Sequence, residues 1–380
     1  MDASIRSTYS HNGGGAPMEE QPAMMDATSC AWMVRSIPDR VSCIHIIEGS
    51  IIAGDWSGGL ACWSLEGETL WEFSGPDRVS SIDVDSGHVV VSMGVDILLL
   101  SLEDGIELWR KELEGSADEA VMLEDSGIHA ISSVFDIEHG DFMESAYWHY
   151  STDGELQSVF RFDERPWFFD VNNERALMGL GRPRCGIFVV EGGELEWREL
   201  IDDDPVSCGI MAGGEIIIGH SKGGLSTIDS KGKSKSINLE ISIEEIDANP
   251  SGLVISSESK LHHLSNDESL LPWPEAINVR EFTTSFSPIG EVAAVWGIIG
   301  TTLSAFTETG ERVASLSFSS PPCTVAGDEE LLVVGTEKGD LYVFQRELLC
   351  RRLEKSESEE IDAVDSQRSA LMEKLRKLRK

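Results

Sequence analysis

The chain has 380 residues, with 67 Asp and Glu against 30 Lys and Arg, and its formal net charge is −37. A body this acidic repels phosphates, so a surface for duplex nucleic acid is not expected. Hydrophobic residues make up 41% of the chain, as in folded globular proteins. No stretch of about 18 apolar residues exists that could form a membrane-spanning helix. The seven Cys include no CxxC pair, which argues against a zinc ribbon or a disulfide framework.

Residues 1–30 are predicted to form a disordered tail, because they combine a Gly-Gly-Gly run, Pro and Ser with no hydrophobic periodicity. They also lack the apolar core of a signal peptide, so a cytoplasmic location is expected. Ordered structure is expected to begin near Ala31. The segment Trp32–Ile37 reads as a fourth strand, since the sequence PDRVS follows it and follows the next fourth strand as well. This segment is expected to supply the outer strand of the last repeat and close a ring, or to lie beside that strand.

A repeating unit of four short strands begins at Val41 and starts again at Val79. Turns rich in Gly, Ser, Asp and Glu separate the strands. Successive units start near Val41, Val79, Ala120, Pro166, Val206, Ile243, Glu281 and Pro322. Four strands in about 40 residues are typical of a propeller blade. We therefore expect an all-β fold, a single β-propeller over residues 31–354, with eight blades, or seven if the weak repeat near Ile243 merges with a neighbour.

The passage from the third to the fourth strand carries a family resemblance. It reads GLACWSLEGETLW in blade 1, DILLLSLEDGIELW in blade 2 and GIFVVEGGELEW in blade 4. This pattern resembles the repeat of PQQ-like (pyrroloquinoline-quinone-type) propellers, with Gly before strand three, an acidic-Gly turn after it and Trp in strand four. WD-repeat propellers are similar in shape, but the Trp-Asp dipeptide is missing from the ends of the third strands. The resemblance implies the fold and little chemistry.

No catalytic residue, metal ligand or cofactor is expected. The His residues lack HxH or HExxH spacing, and no P-loop, nucleophile elbow or dinucleotide fingerprint appears. Quinone-dependent dehydrogenases of similar fold need a buried quinone site with calcium and often carry a vicinal Cys pair. This chain has no adjacent Cys pair.

Ligands of propellers usually bind at the face formed by the loops between strands two and three and the loops that enter each blade. We take as candidates the residues that the sequence places there: Arg40, Asp55, Trp56, Arg78, Arg182, Arg184, His220, Lys222, Trp296 and Lys338. A basic ring on an acidic body would attract an anionic peptide or ligand. Lys and Arg are also common turn residues, and that interpretation remains open.

Two further segments are candidates for partner contacts. In blade 3 an insertion, Asp136–Glu144, places Phe142 and Met143 among acidic residues; it is either a partner anchor or a drift in loop length. Residues 355–380 are predicted to form a C-terminal amphipathic helix that ends in Lys and Arg. Its heptad a and d positions hold Ile361, Val364, Leu371, Leu375 and Leu378. This helix could pair with a partner or its own copy, pack on the propeller or fray, or touch a membrane or nucleic acid through its basic end.

Two functional hypotheses follow. The favoured one is a non-catalytic scaffold that presents a loop face to protein partners, with the helix as a second contact. The alternative is a small-ligand sensor or enzyme that uses the mouth of the central channel, with Asp55, Trp56, Arg182 and His220.

Overall fold

The computed structural model describes residues 22, 24–138, 140–172, 175–274, 278–290 and 293–355. The chain enters through β1 (Met24–Asp26), a helical turn α1 (Ala27–Cys30) and β2 (Met33–Ser36). Eight sheets of at least four strands then form a propeller ring. The expectation of an all-β, eight-bladed propeller is therefore confirmed.

The blades follow one another along the chain. Blade 1 contains β3 (Val41–Ile47), β4 (Ser50–Asp55), β5 (Gly59–Ser64) and β6 (Thr69–Ser74). Blade 2 contains β7 (Val79–Asp85), β8 (His88–Met93), β9 (Asp96–Ser101) and β10 (Glu107–Glu112). Blade 3 contains β11 (Ser116–Leu123), β12 (Gly127–Asp136), β13 (Asp141–Tyr150) and β14 (Leu156–Phe162). Blade 4 contains β15 (Pro166–Asn172), β16 (Arg175–Leu180), β17 (Ile187–Glu191) and β18 (Glu194–Arg198).

The second half of the ring repeats the arrangement. Blade 5 contains β19 (Val206–Ala212), β20 (Glu215–His220), β21 (Gly224–Ile228) and β22 (Ser234–Asn238). Blade 6 contains β23 (Glu245–Asn249), β24 (Gly252–Ser257), β25 (Lys260–Ser265) and β26 (Leu270–Pro272). Blade 7 contains β27 (Phe282–Ser285), β28 (Ala294–Ile299), β29 (Thr302–Phe306) and β30 (Arg312–Ser317). Blade 8 contains β31 (Pro322–Gly327), β32 (Leu331–Thr336) and β33 (Asp340–Gln345), and a helix α2 follows at 346–355.

The ring is closed by the amino-terminal segment. β2 pairs antiparallel with β33 and so becomes the outer strand of blade 8, as the PDRVS repeat indicated. Ordered structure starts earlier than the expected Ala31, because β1 adds a parallel strand to the edge of blade 7 at β30. Ala27 and Cys30 of α1 are buried in the same cluster as Leu349 of α2. This packing orders the segment just before Ala31.

Neighbouring blades are joined by the tryptophans of the fourth strands. The indole N–H of Trp71 donates to the carbonyl of Leu102 in the next blade, at 2.7 Å, and Trp109 donates to Thr152 at 2.8 Å. The Trp71 ring lies against Gly105, which has a φ of +69° and where a Cβ would come within 2.7 Å of the ring. The Gly of the acidic-Gly turn therefore adopts a left-handed backbone conformation and leaves room for the indole. In blades 1 and 2 the PQQ-like pattern thus corresponds to a blade-to-blade contact, whereas Trp197 of blade 4 donates to the carbonyl of Cys185 in its own blade at 2.9 Å.

Two boundaries differ from the sequence-based expectation. The insertion of blade 3 is an extension of the hairpin, since β12 and β13 have ten residues each and Phe135 pairs with Phe142. α2 already begins at 346, because Leu349 and Leu353 pack against blades 7 and 8. The heptad residues Ile361, Val364, Leu371, Leu375 and Leu378 lie outside the described residues.

Candidate functional site

The candidate site lies on the face that we call the upper face, formed by the loops between second and third strands and the loops that enter each blade. These loops touch one another within a blade. The backbone N–H of Trp56 donates to the carbonyl of Arg40 at 3.0 Å, and Gly94 donates to Arg78 in the same way at 3.0 Å. The two kinds of loop are therefore held as one surface.

An exposed aromatic–cation contact of this face involves Arg40, Trp56 and Arg78, which we call the Trp56 platform. The guanidinium carbon of Arg78 lies 4.1 Å from the centre of the indole, and that of Arg40 lies 5.2 Å from it. The Trp56 side chain is 43% exposed, and both arginines are exposed. Each such stack contributes roughly 0.5–1 kcal/mol at an exposed site. In the described part of the chain neither arginine forms an ion pair with a carboxylate, so the platform presents positive charge to solvent.

Asp55 supports this platform from below. Its carboxylate accepts backbone N–H groups from Gly59 at 2.7 Å, Ser57 at 2.8 Å and Asp39 at 3.1 Å. The side chain is fully buried, so the expectation that Asp55 is a surface binding residue is wrong. Because it fixes both loops around Trp56, its role is to position the platform.

His220 occupies the same register position in blade 5 that Asp55 occupies in blade 1. Its Nδ1 lies 3.0 Å from the carbonyl of Asp204 and its Nε2 lies 2.9 Å from Oγ of Ser226. A carbonyl only accepts, so Nδ1 donates to it and Nε2 accepts from the hydroxyl. His220 is fully buried, like Asp55, so it does not form part of the candidate surface.

Trp296 is also misplaced by the sequence-based expectation. It lies within β28 rather than in the following loop, is fully buried, and donates its indole N–H to the carbonyl of Phe286 at 2.9 Å. Trp296 pairs with Thr283 of β27 and with Ala305 of β29, so it lies inside the sheet of blade 7.

The remaining basic candidates form an uneven ring. Lys222 forms an ion pair with Asp204, and Arg184 lies 3.5 Å from the buried carboxylate of Glu164. These partners neutralise much of the positive charge at blades 4 and 5. Arg182 and Lys338 are exposed on the same face. Among the described residues, the basic candidates without an ion pair are therefore Arg40, Arg78, Lys338 and Arg182.

Sequence reasoning missed Arg280, which enters blade 7 at the same face. Its guanidinium donates to the carbonyl of Gly300 at 2.7 Å and to that of Pro322 at 3.3 Å, which ties the loops of blades 7 and 8 together. Arg280 follows a weak fourth strand, so the entering loop was hard to recognise. It extends the basic arc of Lys338, Arg40 and Arg78.

Below this face, the inner strands carry carboxylates around the central channel. Burial, and then the neighbouring carboxylates of Asp170, Asp83 and Asp118, raise the pKa of Glu119 to about 7. Burial, with Glu281 and Asp247 nearby, raises the pKa of Glu245 to about 8. The alternating acids of VSSIDVD and EIDAN are the signal that could have indicated them.

Several of these acids connect adjacent blades. Asp83 of blade 2 accepts the backbone N–H of Met122 in blade 3 at 2.8 Å. Glu281, which precedes β27 of blade 7, accepts the N–H of Val325 in blade 8 at 2.9 Å. The inner strands are therefore linked by side chains where no sheet hydrogen bonds run between blades. Among the described residues, no group of three or more His, Cys, Asp or Glu is arranged to hold a metal ion.

A second cluster lies at blades 3 and 4, and we call it the hairpin cluster: Phe135, Phe142, Arg165 and Trp167. The guanidinium carbon of Arg165 lies 3.4 Å from the ring centre of Phe142 and 4.3 Å from that of Trp167. The Phe135 and Phe142 rings meet edge to face at 5.0 Å. Burial lowers the pKa of Arg165, and Asp118 nearby opposes that shift.

Comparison with known proteins shows a similarity of fold and identifies no closer relative. No family model matches the chain, and no curated protein sequence matches it. Among solved structures, BamB from Moraxella catarrhalis has a TM-score of 0.63 at 14% identity, with 82% of this chain and 98% of BamB covered. Sqt1 of Saccharomyces cerevisiae has a TM-score of 0.62 at 12% identity, with 85% of this chain and 99% of Sqt1 covered. The propeller of Dos1 has a TM-score of 0.63 at 10% identity, with 84% of this chain and 96% of that chain covered. The chain is thus similar at the level of the fold to PQQ-like and WD-type propellers.

In the part of the chain that the structure describes, the helices are too short and too polar to cross a bilayer.

Proposed function

We propose that this chain is a non-catalytic scaffold that binds a protein partner on its upper face, and that the Trp56 platform recognises an acidic segment of that partner. The observation that carries this proposal is a half-exposed tryptophan in contact with two guanidiniums that have no ion-pair partner among the described residues. Trp and Arg dominate the binding energy of many protein interfaces.

The charge distribution supports the acidic character of the partner segment. The whole chain carries −37, and four exposed cations, Lys338, Arg40, Arg78 and Arg280, lie along one arc of this face, each next to an acid in the sequence. A carboxylate beside the arginines gains charge-assisted hydrogen bonds, while an apolar or aromatic neighbour covers the indole. Since the rest of the surface repels acids, binding is confined to this arc and weakens as salt is added.

The test uses labelled Glu-rich peptides, with and without a central Leu, in a fluorescence anisotropy titration. We expect binding that is lost with Trp56→Ala and with the double change Arg40→Glu and Arg78→Glu. The matched control is Arg351→Glu with Lys235→Glu, which makes the same change in charge at exposed positions outside the upper face. Equal loss in the control would mean that net charge alone drives the interaction and would contradict a defined site.

The alternative, a small-ligand sensor or enzyme at the channel mouth, has less support. Two of its four residues, Asp55 and His220, are buried and already occupied by hydrogen bonds. A cytoplasmic location stays part of the proposal, and fluorescence microscopy of the tagged chain in its own cells would test it.

A further inference from the structure

An apolar crest stands on the upper face at blade 3, away from the Trp56 platform. It consists of Phe135, Ile137, Met143 and Trp167, whose side chains are 50%, 87%, 51% and 49% exposed. Single exposed apolar side chains are ordinary, but four large ones on one hairpin and the adjoining strand suggest an interaction site. Phe142 and Arg165 stack beneath this crest and hold its base in place.

The crest is framed by negative charge. The stretch 136–144 contains four carboxylates, Asp136, Glu138, Asp141 and Glu144, and no Lys or Arg. A ligand for this surface must cover apolar side chains and bring positive charge to the rim. An apolar segment with flanking Lys and Arg has that chemistry.

The same sequence contains such a segment at 371–380, outside the described residues. It reads LMEKLRKLRK, with five Lys and Arg against one Glu, and its leucines recur at positions 371, 375 and 378. A helical spacing would place these leucines on one face, with bases on both sides. We propose that residues 371–380 of one copy bind the blade-3 crest of a second copy.

The position of α2 favours binding between copies over binding within one chain. α2 follows the last strand of blade 8 on the lower face, where the backbone N–H of Arg346 donates to the carbonyl of Glu330 at 2.9 Å. Leu349 and Leu353 then pack against blades 7 and 8. In an eight-bladed ring blade 7 lies opposite blade 3. To reach the crest of its own chain, the segment would have to pass from the lower face to the upper face and from blade 7 to the opposite side of the ring. The segment of a second copy does not have this path to cover.

This arrangement can close on itself. Each copy carries one crest and one basic segment, so two copies can exchange segments around a twofold axis. The interaction differs from the Trp56 platform in sign, because here the propeller supplies the acid and the ligand supplies the base. The two surfaces can therefore be occupied at the same time.

Sedimentation velocity of the full chain over a wide range of concentration tests the proposal. We expect a dimer that dissociates on dilution and on adding salt. The crest variant Ile137→Asp with Met143→Asp should stay monomeric, and so should the segment variant Leu375→Asp with Leu378→Asp. An equimolar mixture of these two variants should recover association, weaker than in the wild type, because each mixed pair keeps one intact crest and one intact segment.

Matched controls separate this interface from general effects of charge. Ile201→Asp with Ile289→Asp changes two side chains that are 64% and 60% exposed elsewhere, and it should leave the dimer unchanged. Trp56→Ala should also leave it unchanged, so failure of the partner site and failure of this interface can be told apart. Thermal unfolding of the crest variant and of the Ile201 and Ile289 control should match that of the wild type, since their altered side chains are exposed.

Three results would overturn the proposal. One is a wild-type chain that remains monomeric at every concentration. Another is a crest variant that associates as well as the wild type. The third is a mixture that fails to recover association although each variant alone has lost it, which would mean that the crest and the segment do not complement each other.

Discussion

The two aromatic–arginine clusters of the upper face are arranged inversely. In the Trp56 platform one indole contacts two guanidiniums, and in the hairpin cluster one guanidinium contacts two aromatic rings. Arg40 and Arg78 are exposed, whereas Arg165 is partly buried. The same type of contact therefore presents charge to solvent in one place and conceals it in the other.

The clusters also differ in what holds them. The Trp56 platform sits on short loops fixed by the buried carboxylate of Asp55. The hairpin cluster sits on two extended strands whose register pairs Phe135 with Phe142. The Trp56 platform therefore depends on a few polar contacts, and the hairpin cluster depends on strand pairing and stacking. A separate substitution can disrupt each cluster.

The largest effect is expected for Asp55→Ala. The change leaves the buried N–H of Gly59 and the partly buried N–H groups of Ser57 and Asp39 without their acceptor, at about 1–3 kcal/mol each, so the free energy of unfolding should fall by roughly 3–5 kcal/mol. Thr336 has the same register position in blade 8 but accepts one backbone N–H, from Asp340 at 3.0 Å. Thr336→Ala should therefore cost only about 1 kcal/mol. Urea denaturation followed by circular dichroism measures both, and equal losses would show that the loops of blade 1 do not depend on Asp55.

Asp55 also shows where sequence reasoning stops. The spacing of turns and apolar runs is local, so it predicted the blades and the ring closure at β2. Whether the last residue of a second strand faces solvent or the entering loop depends on its pairing with the first strand, as for Asp55 and His220. The residues next to Asp55 and His220 in the sequence do not reveal this pairing.

The hairpin cluster was harder to foresee for a related reason. Phe142 was noted as an apolar residue in an acidic insertion, but its stacking partner Arg165 is more than twenty positions away in the sequence. The channel acids had a local signal in their alternation along the first strands. Only the ring geometry shows that Glu119 meets acids from the blades on either side.

Removing the guanidinium between the aromatic rings should have the next largest effect. Arg165→Ala takes away two partly desolvated cation–π contacts, and we expect a loss of about 2 kcal/mol in the free energy of unfolding. Arg161 in β14 provides the control, because it lies 5.6 Å from the Trp148 ring and pairs with Glu114 at an exposed site. Arg161→Ala should cost less than Arg165→Ala, because solvent screens its exposed ion pair. A larger loss in the control would mean that burial does not distinguish the two arginines.

Beneath the hairpin cluster, Glu119 should make stability depend on pH. Its folded pKa of about 7 lies above that of an unfolded Glu, about 4.3, so between these values the folded state holds a proton that the unfolded state has lost. Stability from this group is complete below the unfolded pKa and is lost as the pH rises through the folded pKa, with a slope of at most about 1.4 kcal/mol per pH unit.

Urea unfolding at several pH values checks this expectation. Glu119→Gln should flatten the decline in stability towards neutral pH. Glu114→Gln is the control, because its effect on the pH dependence of stability should have the opposite sign. Hydrogen bonding to Arg161 lowers the pKa of Glu114, so the stability that Glu114 contributes is lost on acidification. A wild-type protein whose stability does not change between the two pKa values of Glu119 would contradict its assignment as a buried, protonated carboxyl.

The smallest change in stability is expected where the proposed recognition is strongest. Trp56→Ala removes a 43% exposed side chain and two exposed cation–π contacts, and the loss in the free energy of unfolding should be about 1 kcal/mol, the low end for two such contacts. Trp167→Ala, at 49% exposure, should cost more, because its ring also covers the partly buried Arg165. Exposure alone would rank the two tryptophans the other way. If Trp56→Ala destabilises the protein as much as Trp167→Ala, the indole of the platform supports the fold, and its exposure between two arginines no longer favours a role in binding.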